Sequence, residues 1–151
     1  ESSAASDVYK RQDADYIRDL FAARAAIEPA AVRWGAFPDA PSLVTLTSSA
    51  FDYAARGEHQ EVSAINQRFH RTLVAALGSP TLNEQMDNLL ARMRLTFLLA
   101  IPRYPQLHAD HIQGNITLAT LIADGKRLEA ATLAHDSLMN TCEKILAVLD
   151  N

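Results

Sequence analysis

Apolar residues recur at three- and four-residue steps along almost the whole chain, and Gly and Pro punctuate the recurrences. That period places residues on one face of a helix, whereas a half-buried strand would alternate at every second residue. The first stripe is Ile17, Leu20, Phe21, Arg24, Ile27, Glu28, Ala31 and Trp34; it predicts a helix over 13–36, ended by Pro38 and Pro41. A second helix is expected over 42–55, closed by Gly57. A third is expected over 58–77, with Val62, Ile65, Asn66, Phe69, Leu73 and Leu77 on its face and His70 at the edge. Gly78, Ser79 and Pro80 then break the chain, with Ser79 as N-cap and Pro80 at the first helical position.

The fourth helix should cover 80–101, with Leu82, Met86, Leu89, Leu90, Met93 and Phe97 inward. Its second half, from Leu95 to Ile101, is apolar nearly all round. Such a surface needs cover on every side, and in so small a domain a second subunit is a natural source. The fifth helix should start near Gln106 and end at Gly125. The sixth should cover 126–149, its stripe being Leu128, Ala131, His135, Leu138, Met139, Cys142, Ile145 and Leu149. No strand pattern and no β-turn dipeptide between β-rich runs is present. The expected fold is therefore all-α, an antiparallel bundle of about six helices.

Composition narrows the class. The chain has 151 residues, is 48% hydrophobic and carries a net charge of −4. Those values suit one domain with a sizeable core and argue against a large nucleic-acid footprint on this segment. No apolar run approaches the ~20 residues of a membrane span. The lone Cys142 cannot form an internal disulfide, and a reducing, cytoplasmic setting fits. Residues 1–12 lack an initiator Met, and Asp7 to Gln12 resembles translated adapter sequence, so this stretch reads as a non-native or linker segment. The domain proper is expected over 13–151.

Several of the inward stripes are interrupted by polar residues: Arg24, Asn66, His70, Asn115 and His135. Buried polar groups need partners, so a set of them on separate helices points to one internal polar pocket and to small-molecule binding. Arg24 cannot shed its charge and needs an anion, which either a bound carboxylate or Glu28 one turn later could supply. Asn66 and His70 are neighbours at i, i+4, while His108, His111 and Asn115 share an arc of the fifth helix. No phosphate loop, His-Glu-x-x-His, Cys-x-x-Cys, Glu-x-x-His or nucleophile elbow occurs. Inward acids are scarce, so the chain is not expected to be an enzyme.

Three stretches resemble the FCD domain, the all-helical C-terminal effector-binding domain of GntR-type transcription regulators of the fatty-acid-regulator subfamily. Leu20-Phe21-Ala22-Ala23-Arg24-Ala25-Ala26-Ile27-Glu28-Pro29 is similar to the family's opening Arg-x-x-Leu/Ile-Glu-Pro helix. Phe69-His70-Arg71-Thr72-Leu73 with Leu77-Gly78-Ser79-Pro80 resembles its Phe-His-x-x-Leu … Gly-Asn-Pro segment. Leu121 to Gly125 followed by Leu128-Glu129-Ala130-Ala131 resembles its Gly-Asp … Glu-Ala-Ala junction. The likeness runs over 13–149.

The resemblance implies a homodimer that binds a small anionic effector, often a carboxylate, and thereby shifts the spacing of N-terminal winged helix-turn-helix modules on DNA. This segment would not touch DNA itself. Many members hold a divalent metal with one Asp and three His. Here the Asp position is Asn66, the first His is His70, the second is Asn115 and the third aligns with Leu138. Only His70 matches, so the metal site reads as degraded and no cofactor is expected; a rescue would have to use His111 and His135. Arg24 would then clamp the effector's anion, with Asn66, His70, Asn115 and His135 orienting the rest. The alternatives are a metal-dependent helical hydrolase or lyase using His70, His111 and His135, and a ligand-free dimerisation module whose polar cluster holds buried water.

Overall fold

Helix ends fall close to the breakers that the sequence supplies. The computed structural model describes residues 3–150, with side chains from residue 13 onward except at position 108. Helix α1 spans Ser3–Trp34, α2 Ala40–Ser48, α3 Ala50–Ala55, α4 His59–Ala75, α5 Pro80–Ala100, α6 Leu107–Ala123 and α7 Arg127–Leu149. A short 3-10 turn, Ile101–Arg103, follows α5. No strand occurs among the described residues, and the fold is the expected all-α bundle. None of the described helices is long and apolar enough to cross a membrane.

The local signals act as expected at α5. Ser79 accepts a hydrogen bond from the Leu82 N–H at 3.2 Å, and Pro80 occupies the first turn. Two boundaries differ from the sequence reading. Helix α1 starts at Ser3 rather than at 13, and no Gly or Pro before 13 interrupts it. The expected second helix is two, α2 and α3, meeting at Ser49. There Thr47 Oγ1 donates to Leu43 O at 2.9 Å and Ser49 Oγ to Leu46 O at 2.6 Å, local bonds that compete with the helical ladder.

Helices α1 and α7 pack antiparallel. Arg18 meets Glu143 at 2.5 Å, while Arg127 donates to Val32 O at 2.7 Å and also to Gly35 O. Arg127 thus satisfies carbonyls at the C-terminal end of α1 and stacks over Phe37. One core layer joins Ile17, Leu20 and Phe21 to Met93, Leu107, Leu138 and Ile145. Another joins Val32 and Leu43 to Phe69, Leu73, Leu118, Ile122, Ala130 and Ala134.

Two stripes are corrected by this packing. Trp34 was expected inward but is 72% exposed, its ring under the Arg33 guanidinium. The contact at that level is made by backbone. Ala36 N–H donates to Ala76 O at 3.0 Å, and a Cβ at Gly35 would stand 2.6 Å from the Ala76 Cβ, so only Gly allows the approach. On α7 the buried row is Ala130, Ala134, Leu138, Cys142 and Ile145, not the row through Leu128, Ala131 and His135. The alanines let α7 come close to α1. His135, one residue from Ala134, is rotated by about 100° off the buried row, into solvent.

Candidate functional site

Arg24 and Glu28 lie one turn apart on the inward face of α1, 2% and 1% exposed. Arg24 Nε donates to Glu28 Oε2 at 2.5 Å, and Arg24 Nη1 donates to the Met93 sulfur on α5 at 3.3 Å. The other carboxylate oxygen, Glu28 Oε1, is 2.5 Å from His70 Nδ1 on α4. One buried carboxylate therefore joins α1 to α4 and neutralises Arg24. Burial alone pushes the Glu28 carboxyl up, but the charges and hydrogen bonds of Arg24 and His70 outweigh it and hold the group down to about 2. Glu28 is thus an ionised anchor, not a proton donor or acceptor near neutrality.

A second polar link crosses from α6 to α4. Asn115 Nδ2 donates to Asn66 Oδ1 at 2.6 Å, and both residues are half-buried. His111, on α6 with Asn115, packs its ring edge-on against Phe97 with centroids 5.1 Å apart. His108, expected in the same arc, lies outside the described side chains.

These residues wall two adjoining cavities. The larger, about 420 Å³, lies among α4, α5 and α6, and the buried Arg24 and the half-buried Asn66, Asn115 and His111 form a polar wall to it. It is also lined by the apolar Val62, Leu90, Met93, Phe97, Leu107 and Ile112 and by the polar Thr47, His59, Gln60, Ser63 and Gln67. At its outer edge Arg94 donates to Gln67 Oε1 at 2.7 Å. The smaller cavity, about 200 Å³, lies towards α7 and shares Arg24, Leu107, His111 and Asn115 with the larger. Glu28, His70, Tyr104, Asp110, Leu138 and Lys144 also line it. Tyr104 donates to Asp110, and that bond, aided by burial, raises the phenol to about 12.

The structure brings together four of the five residues singled out in the sequence: Arg24, Asn66, His70 and Asn115. It does not bring in His135, which lines neither cavity. Its side chain is 51% exposed and its Nδ1 is 3.0 Å from the adjacent Asp136. Sequence reasoning missed the Glu28–His70 link, because the two residues are 42 positions apart and only the packing of α1 on α4 joins them. It also missed Tyr104 and Lys144, which carry no inward-stripe signal.

The residues at the family's metal positions do not make a metal-ligand set. Asn66 and Asn115 spend a donor and an acceptor on each other, His70 Nδ1 faces Glu28, and Leu138 offers no donor atom. Among the described residues no group of three or more His, Cys, Asp or Glu could hold an ion.

What remains is a concave, mainly apolar chamber with a few convergent polar groups, the usual form of a small-molecule site. Neither a curated protein nor a solved structure matches the chain. A family model described as FCD domain matches residues 19–140, from the helix that carries Arg24 and Glu28 to the middle of α7. The chain therefore belongs to the FCD domain family, the C-terminal effector-binding domain of GntR-family regulators.

Proposed function

We propose that this segment is the sensing and dimerisation part of a cytoplasmic, bacterial GntR-type transcription regulator, and that its effector carries a carboxylate. The carrying observation is the chamber of about 420 Å³ whose polar wall is assembled from three helices by Arg24, Asn66 and Asn115. A volume on the order of a dozen waters favours an organic ligand over a water-filled core. Two of the five N–H groups of a guanidinium serve Glu28 and Met93, which leaves donors for a ligand carboxylate. Asn66 and Asn115 would orient the remainder of the ligand, and His70 would act through Glu28.

The reading is non-catalytic. A carboxyl held at about 2 is poorly matched to acid–base work near neutral pH, which disfavours the hydrolase or lyase alternative. Dimer formation is supported by Leu95, Leu98 and Leu99, each about 60% exposed on the second half of α5, which is apolar nearly all round. Covering such a side chain contributes about 1.5–3 kcal/mol. In the whole regulator, DNA would be read by a winged helix-turn-helix module preceding this segment. The effector would act by binding one dimer geometry more tightly than another.

Native mass spectrometry of the chain tests the proposal. The expected result is a dimer carrying a small organic acid, lost from the double variant Arg24→Met, Glu28→Gln. That double variant removes the cation without leaving a lone buried charge, so loss of ligand and loss of fold are separable. A dimer with one divalent metal per subunit would overturn the degraded-site reading. An empty chain that takes up no acid would favour the plain dimerisation module.

A further inference from the structure

The outward face of α5 and the mouth of the larger cavity meet at Leu98. Leu95, Leu98 and Leu99 are exposed, and with the exposed Ala91 they fall within about 100° of the helix circumference. Leu98 also lines the larger cavity, whereas Leu95 and Leu99 line neither cavity. The exposed part of the larger cavity's lining is His59, Gln60 and Ala64 on α4 and Arg94 and Leu98 on α5, so its mouth lies between these two helices. The C-terminal half of α5 is therefore one lip of the mouth and the seat of the leucine row. Charge is segregated along the same helix. The acids of α5, Glu84 and Asp87, lie in its first half, Arg92 and Arg94 lie in its second, and Arg103 follows just beyond; all five are exposed. Asp87 also meets Arg71 at 2.6 Å, and Arg103 reaches the Val148 and Leu149 carbonyls at 3.4 Å. A helix divided in this way complements a copy of itself when the two run antiparallel. A parallel pair would set acid beside acid and arginine beside arginine.

Resting on the dimer reading above, we infer that a second copy of the chain lays its α5 antiparallel on this leucine row, and that the interface so formed is one lip of the larger cavity's mouth. A two-fold axis near Leu95 sets Ala91 level with the partner's Leu99, and Asp87 level with the partner's Arg103. The leucines are covered at the centre, and the acidic end of each helix lies along the basic end of the other. Leu98 then stands between the partner and the chamber, with Arg94 beside it. Dimerisation narrows the route into the chamber, and whatever fills the chamber at Leu98 and Arg94 bears on the interface. The two events are linked, each changing the equilibrium of the other by the same factor.

Sedimentation velocity over a dilution series, joined to thiol labelling, tests this. The double variant Leu95→Glu, Leu99→Glu changes only exposed side chains outside both cavities, and thermal unfolding should stay cooperative. Its dimer should be weaker by about a hundredfold or more. Glu84→Arg and Arg103→Glu should each weaken the dimer by roughly fivefold, and the two together should restore it, since both pairs are then opposite in sign again. Access is read at Ser63→Cys, inside the larger cavity, with dithionitrobenzoate; the buried Cys142 of the parent chain gives the background. Labelling should be roughly tenfold slower or more in the dimer than in the same variant made monomeric by Leu95→Glu, Leu99→Glu, on the order of the fraction of time the mouth is open. A parent chain that is monomeric at every concentration overturns both this inference and the dimer reading, and gives the leucine row to a different partner. A dimer that survives Leu95→Glu, Leu99→Glu places the interface elsewhere and leaves the dimer reading standing. Charge reversals that do not compensate overturn the antiparallel arrangement, and equal labelling of dimer and monomer overturns the shared lip.

Discussion

The larger and smaller cavities share Arg24, Leu107, His111 and Asn115, yet they ask different things of a ligand. On one side of that common wall the charge is already settled inside the protein: Arg24, Glu28 and His70 form a closed buried group. On the other side the wall faces a mainly apolar chamber whose lining carries no acid among the described residues. The lesson is that a single arginine can serve structure and recognition together. Its Nε is committed to the fold through Glu28, and its remaining donors can face a chamber where a second anion meets no lining carboxylate.

That division is broken most severely at Glu28. Glu28→Ala should leave Arg24 buried without an anion and cost about 3–5 kcal/mol in urea denaturation. The double variant Arg24→Met, Glu28→Gln should recover most of this loss, since no lone charge remains. If the single and double variants are equally destabilised, the pair is not acting as one unit. The acid side can also be titrated. Because Glu28 lies below its ordinary 4.5 in the folded state, its contribution is complete above pH 4.5 and disappears as pH falls through about 2. Urea midpoints should therefore drop across that window in the native chain, and less in the double variant.

The other side of the wall is softer. Asn66→Ala removes the acceptor for Asn115 at a half-buried position, and about 1 kcal/mol of stability should go with it. Its larger effect should be on acid binding, read by titration, because the carboxamide also lines the larger cavity. The smallest change is expected at His135. His135→Ala should alter stability by no more than about 0.5 kcal/mol and leave binding untouched, as befits a solvent-facing side chain. A loss of binding there would restore it to the site.

Much of the fold was legible because helical period, Pro and Gly act locally. Ser79 and Pro80 start α5 through bonds and restraints that span three residues, so the sequence alone could place them. Arg24, Asn66, His70 and Asn115 stood out because a polar residue within an apolar stripe is conspicuous wherever the stripe packs. Trp34 and His135 were misassigned for a common reason. Both rest on a stripe drawn through the larger apolar residues, while the helices meet through small ones: Gly35 against Ala76, and Ala130 and Ala134 beside Val32. Hydrophobicity marks what benefits from burial; close approach of two backbones depends on what is small enough to allow it.

The sequence by itself determined the all-α class, the helix borders set by Pro80 and Gly125, and the family to which the helix with Arg24, Glu28 and Pro29 belongs. Tertiary structure alone decided the partners. His70 meets Glu28 across 42 positions, Asn115 meets Asn66 across 49, and the lining of the larger cavity comes out free of acids among the described residues. Period and propensity act over one or two turns of chain, whereas a cavity and its charge are set by which faces of distant helices are pressed together, and that depends on the packing of every side chain between them.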